Sequence, residues 1–144
     1  MNNKLIVLDA GPLGMLSNPD PNIEITYWAR DLEKSGFILL IAAISDYEIR
    51  RNLILENKSK SLLHLDTLRE VFCYLPLTDT ALQIAAQLWA ESNRKGIPTA
   101  SPKDLNCDAI LAAQALEIGA TVVTTNVKHL SRFVDAKHWK DIEP

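Results

Sequence analysis

The chain has 144 residues, 47% of them hydrophobic, enough for one domain that buries roughly 70% of its unfolded surface in a single core. Charged residues make up 23%, with five glycines and seven prolines, which excludes disordered, collagen-like and mucin-like chains. Fifteen basic against eighteen acidic residues leave a net charge of −3, the wrong sign for holding nucleic acid by bulk electrostatics. A polyanion partner therefore has to meet a local basic patch or a bound cation.

No apolar run approaches the ~18 to 20 residues of a membrane span, and Met1 to Leu8 is too short and too interrupted for the core of a secretory signal. Cys73 and Cys107 form no Cys-x-x-Cys pair, so reduced thiols in a cytoplasm are expected, without cysteine-bound zinc. Two basic stretches stand out. One holds Lys128, Arg132, Lys137 and Lys140 with His129 and His138; the other holds Arg50, Arg51, Lys58 and Lys60. Each reads either as a binding stripe or as a solvated face.

In chain order, Lys4 to Asp9 is an apolar run closed by Ala10-Gly11-Pro12, the pattern of a strand buried on both faces and stopped by a turn. Ile25, Trp28 and Leu32 recur at helical spacing between Ile23 and Ser35, and Gly36 ends that helix. Phe37 to Ala43 is a second buried strand, and Ser45 begins another helix. Leu62, Leu65, Leu68 and Phe72 mark the inward stripe of the next, before a third strand over Cys73 to Leu77. Asp79 to Lys95 and Pro102 to Ile118 are helices, the second capped by Ser101 and ended by Gly119. The β-branched run Thr121 to Thr125 is a strand. Alternating strands and helices imply a parallel sheet covered on both sides. In such folds ligands sit beyond the carboxyl ends of the strands, where strand order reverses.

Acidic residues fall at that edge. Asp9 ends the first strand and reads equally as a ligand at the mouth of the sheet or as a turn or helix cap. Asp108 shares a helix face with Leu111, Ala112 and Ala115, one turn from Asp104. Two neighbouring, partly buried carboxylates either take up protons or attract a cation, and the cation is the better account. Asp104 also fits a capping box opened by Ser101, and Glu48 fits one opened by Ser45, so capping is the favoured reading of each taken alone. Thr124, Thr125 and Asn126 bring hydroxyl and amide groups to the same edge. Oxygen ligands of this kind suit Mg²⁺ or Mn²⁺, which bridge carboxylates to phosphate oxygens. The glycine-rich nucleotide loops and the Gly-x-Ser-x-Gly elbow are absent from the sequence.

Ile6-Val7-Leu8-Asp9-Ala10-Gly11-Pro12-Leu13, Ser45-Asp46-Tyr47-Glu48-Ile49-Arg50-Arg51, Asp108-Ala109-Ile110-Leu111-Ala112-Ala113 and Val123-Thr124-Thr125-Asn126 with Lys128-His129-Leu130 follow one another in a familiar order. In that order they resemble the PIN-domain ribonucleases, particularly the VapC-like toxins of prokaryotic toxin–antitoxin pairs. The resemblance spans nearly the whole chain and implies a three-layer α/β/α sandwich with a central, mainly parallel sheet. It implies a Mg²⁺- or Mn²⁺-dependent endoribonuclease in which Asp9, Glu48 and Asp108 are the metal-binding acids and Asp104 is their neighbour. Thr124 and Asn126 would orient a water or a phosphate oxygen, while Lys128 and Arg132 would position the RNA strand. A cognate antitoxin and a homodimer are the implied partners, with apolar residues around Trp28 or Leu53 to Leu55 as candidates for the antitoxin's groove or for core. The sequence departs from the family where a further acid often follows the Asn; here Val127-Lys128-His129-Leu130 puts His129 in or near that place. That departure supports an alternative, a PIN-like binding module without catalysis. A phosphoryl-accepting receiver-like domain is a third reading; it would need a phosphorylatable Asp at the end of the third strand, and Asp79 arrives late, after Leu77-Thr78.

Overall fold

The first apolar run becomes β1 (Leu5–Leu8), the middle strand of a five-stranded sheet in which every pairing is parallel. The sheet order is β3 (Cys73–Leu75), β2 (Ile38–Ala42), β1, β4 (Thr121–Thr124), β5 (Ala136–His138). The computed structural model describes residues 4–96 and 102–144, with side chains outside 102–105. The order reverses between β1 and β4, where Leu8 lies opposite Val123, so the crevice expected of such a sheet opens beyond the carboxyl ends of these two strands.

Alternate residues of β1 feed two cores, which is why its sequence is apolar without a break. Ile6 and Leu8 pack with Leu39, Ile41 and Val123 against α1 (Ala10–Ser17), α2 (Ile23–Lys34) and α4 (Ser59–Val71). Val7, Leu40 and Val122 face Leu111, Ala112 and Ala115 of α6 (Pro102–Ile118). Helix α5 (Asp79–Arg94) lies outside α6, with Ala81 and Ala85 against Ala109 and Ala113. The result is the three-layer α/β/α arrangement, and α6 has the bounds expected from its sequence. Gly119, at a φ of +68°, ends it in the left-handed conformation and leads directly into β4.

Two local expectations are corrected. Ala10-Gly11-Pro12 does not form a turn but opens α1: Asp9 is its N-cap, and a proline in the first turn gives up an N–H that has no helical partner anyway. The helix after β2 starts at Ala43, not at Ser45, as α3 (Ala43–Leu55), with Ala42 at the cap and no side-chain cap bond. The Ser45–Glu48 box therefore does not form. Instead the Ile44 N–H donates to Oε1 of Gln114 at 3.2 Å, and the Gln114 amide donates to the carbonyls of Leu75 and Pro76, binding α3, α6 and the end of β3 together. Of the two open readings of Trp28, core is the one observed: its ring lies 5.7 Å from that of Trp139, and its Nε1 donates to the Ile142 carbonyl. Leu53 packs on the core, whereas Ile54 and Leu55 are exposed.

Candidate active site

Topology places the candidate residues before any distance does. Helices α1 and α3 begin where β1 and β2 end, and α6 runs back to the start of β4, so its first turns lie at the opposite, carboxyl edge of the sheet. Asp9 opens α1, while Glu48 and Asp108 lie within the first two turns of α3 and α6. Both are half-buried. On α3, Glu48 falls between Ile44, which packs toward α6, and Ile49, which approaches α1 at Gly14. The Arg51 guanidinium is raised above its ordinary pKa chiefly by hydrogen bonding with Tyr47, and α3 packs on α6 through Ile44, in one apolar cluster with Cys107 and Leu111.

The corner between β1 and β4 is hydrogen-bonded throughout. Thr124, fully buried, donates its hydroxyl to Oδ2 of Asp9 at 2.7 Å, and the Ala10 N–H donates to Oδ1 at 2.7 Å. The Asn126 N–H donates to the Thr124 hydroxyl oxygen at 2.9 Å, which leaves that hydroxyl's proton for Asp9. Asp9 therefore caps α1, as one open reading has it, and stands at the mouth of the sheet, where the other places it. The Asn126 side chain lies 3.3 Å from Nδ1 of His129, on the short helix α7 (Val127–Leu130). Close packing continues at Gly11, where a Cβ would come within 2.6 Å of the Thr125 hydroxyl.

Burial raises the Asp9 pKa, opposed by the hydrogen bonds from Thr124 and Ala10. Both donors are neutral, and among the described residues no Lys, Arg or His forms an ion pair with Asp9. A half-buried carboxylate held by neutral donors alone, with no counter-charge among the described residues, has the oxygen chemistry that suits a hard divalent cation. Among the described residues, however, no three His, Cys, Asp or Glu side chains are grouped closely enough to hold a metal ion. The Asp104 side chain and Ser101 lie outside the described residues, so their capping box does too.

The basic stretches do not form continuous stripes. Lys128 is exposed on α7, Lys137 is on β5, and Lys140 pairs with Glu24 at 3.9 Å. Arg132 is half-buried, its Nε donating to the His129 carbonyl. Arg50 binds Asp46 and Asp66, Arg51 covers Tyr47, and Lys58 pairs with Glu56. Asp79 opens α5 behind its Thr78 cap and does not end β3, which removes the receiver reading.

The family model of the PIN domain matches residues 6–135. A search of curated proteins finds no significant match. Among solved structures, VapBC2 from Rickettsia felis bound to a promoter DNA fragment aligns with a TM-score of 0.78 at 19% identity, over 94% of this chain and 98% of that one. FitAcB from Neisseria gonorrhoeae aligns with a TM-score of 0.72 at 23% identity, over 95% and 99%. VapBC-1 from nontypeable Haemophilus influenzae aligns with a TM-score of 0.73 at 18% identity, over 95% and 99%. At these identities the structural likeness is one of fold.

Proposed function

The chain belongs to the PIN domain family, whose members are generally nucleases, and on that premise we propose that it is a metal-dependent endoribonuclease that hydrolyses RNA phosphodiester bonds. The observation that carries this reading is Asp9, a half-buried carboxylate at the switch point of the sheet with hydroxyl and amide donors but no cation paired with it among the described residues. Asp9, Asp108 and Glu48, with Asp104 as neighbour, would hold Mg²⁺ or Mn²⁺. When bound, such an ion supplies an activated water and positive charge against the developing oxyanion.

The protein's own contribution is orientation. Thr124, its hydroxyl fixed by the Asn126 N–H, holds Asp9 in one rotamer and favours its ionised form. The Asn126 amide faces His129 at the rim, where it would orient a water or a phosphate oxygen. Lys128 and Arg132 would contact the RNA backbone without reading bases. No protein nucleophile is required.

The physiological reading is a toxin held by a cognate antitoxin, supported by fold neighbours solved as VapBC and FitAcB assemblies. A homodimer is the assembly that the family resemblance implies. The assay is cleavage of single-stranded RNA with Mn²⁺, comparing wild type with Asp9→Asn and Asp108→Asn. Loss of cleavage in both variants is expected; equal rates in all three would overturn the mechanism. His129, where a further acid is usual, favours a second reading as a binding module without catalysis. In that case wild type would cleave nothing, and calorimetry would record no heat with millimolar Mn²⁺.

A further inference from the structure

Among the largest fully buried side chains of the described residues, Gln114 is the polar one, at 1% exposure. A primary amide removed from water has to find partners for its oxygen and for both its protons. Gln114 finds all of them: Oε1 accepts from the Ile44 N–H at 3.2 Å, and Nε2 donates to the carbonyls of Leu75 at 3.1 Å and Pro76 at 3.2 Å. Those partners fix the orientation of the amide, since turning it would set N–H against N–H and oxygen against oxygen.

The acceptor it supplies is one that α3 lacks locally. Ala42 holds the cap position and has no side-chain oxygen, so the first-turn N–H of Ile44 would otherwise be an orphan. The two carbonyls lie across the same junction, because Leu75 is the register partner of Ala42. Cys107, Leu111 and Gln114 recur at spacings of four and three along one stripe of α6, and Ile44 packs in one apolar cluster with the first two. The start of α3 is therefore docked on α6 by apolar contact and by a hydrogen bond together. Glu48 stands one turn beyond Ile44, and Asp108 directly follows Cys107. This dock ties together the two helices that carry those acids.

We propose that Gln114 is a positioning residue of the acidic site: by capping α3 from α6 it sets Glu48 against Asp108 for a divalent ion. It touches neither metal nor substrate and acts through the backbone of α3. The role rests on the metal-dependent reading of the site and deepens it.

Calorimetry with Mn²⁺ and amide hydrogen exchange in EDTA test it on wild type, Gln114→Met, Gln114→Asn, Gln114→Glu and Trp28→Phe. Gln114→Met keeps the length of the side chain and removes the acceptor. Its Mn²⁺ affinity should fall roughly tenfold, the low end for groups that orient metal ligands from behind, and the Ile44 amide should exchange about fivefold faster, the scale of one hydrogen bond. Gln114→Asn is one methylene too short to span the junction and should move in the same direction. Gln114→Glu keeps an acceptor for Ile44 whether ionised or protonated but gives up a donor to the carbonyls. Its melting temperature should drop as that of Gln114→Met does, while Ile44 stays slow and Mn²⁺ affinity stays within about threefold of wild type. Trp28→Phe removes the bond to the Ile142 carbonyl in the other core and should lower the melting temperature with Mn²⁺ affinity unchanged. Mn²⁺ affinity that simply follows melting temperature across all four variants, or that equals wild type in Gln114→Met, would overturn the positioning role. If Gln114→Met does not fold, Gln114→Asn against Gln114→Glu carries the same contrast. Failure of the metal reading is distinct: wild type itself would then give no heat with Mn²⁺, and the role would fall with it.

Discussion

Asp46 is a buried carboxylate and Asp9 a half-buried one, and the fold treats them in opposite ways. Asp46, 5% exposed, receives Nε and Nη2 of Arg50 at 2.9 and 3.1 Å, with Arg69 at 3.9 Å, and Arg50 reaches on to Asp66 at 2.8 Å. The hydrogen bonds that Arg50 donates to Asp46, and then to Asp66, hold its guanidinium above its ordinary pKa against the opposing effect of burial. Asp9 has only a threonine hydroxyl and a backbone N–H, both neutral. A carboxylate whose task is to join α3 to α4 is matched by cations within the chain. One left without a match at a switch point has its charge available to something from outside.

Removing the unmatched charge should have the largest effect on function. Asp9→Asn preserves shape and the Ala10 contact, yet Mn²⁺-dependent RNA cleavage is expected to fall by about 10² to 10³, the usual scale for losing an electrostatic catalytic group. Asp108→Asn should do the same. The matched carboxylate predicts the reverse pattern. Arg50→Met removes the main partner of Asp46 and should lower stability by about 2 to 4 kcal/mol, toward the lower end because Arg50 is 27% exposed. Its urea midpoint should drop while cleavage by the folded fraction is retained. A loss of cleavage without a stability change would make the two carboxylates alike in function.

A smaller effect is expected at the hydroxyl between β4 and β1. Thr124→Val keeps the volume of a fully buried side chain but removes the donor to Asp9 and the acceptor for the Asn126 N–H. Cleavage should decline roughly tenfold, with the pH at half-maximal activity moving upward because the ionised form of Asp9 has lost a hydrogen bond. An unchanged pH profile would detach Thr124 from Asp9.

Periodicity made most of the frame legible. The unbroken apolar run of β1 and the bounds of α6 come from burial patterns that local sequence records directly, and the carboxyl edge of the sheet follows from strand–helix alternation. What escaped depends on partners distant in sequence. Gly11, Pro12 and Gly14 argue against a helix by propensity, yet α1 forms because Asp9 caps it and because the two glycines allow close approach to Thr125 and Ile49. Strand β5 is three residues long, with only Ala136 buried, and it exists by pairing with β4, which no local pattern of Lys137 and His138 could show. The Ser45–Glu48 box matched a motif, but Gln114, 70 positions beyond Ile44, supplies the acceptor at that helix start. Of the site, Asp9 and Thr124 could be assigned to one edge from sequence, whereas their direct bond could not. Asp46 and Arg50 stand at i, i+4 spacing, yet their pairing was not read from the sequence; Asp66 and Arg69 join it from α4.

The smallest expected effect is also the sharpest on the contrast between the two carboxylates. Because burial raises the folded-state pKa of Asp9, the folded chain binds this proton more tightly than the unfolded chain does. The associated stability is therefore fully present below the unfolded carboxylate pKa and is lost as pH rises through the folded one. At neutral pH in EDTA the ionised Asp9 is a burden, and Asp9→Asn should be more stable than wild type by about 0.5 to 2 kcal/mol, the range typical when a functional strain is relieved. That difference should shrink as pH is lowered through the acid range. Mn²⁺ should reverse the order, since an ion that binds only the folded, ionised site stabilises wild type by mass action and leaves the variant behind. Melting curves of both proteins across pH, with and without Mn²⁺, decide it. If Asp9→Asn melts lower than wild type in EDTA at neutral pH, Asp9 is a structural carboxylate like Asp46, and the contrast between them fails.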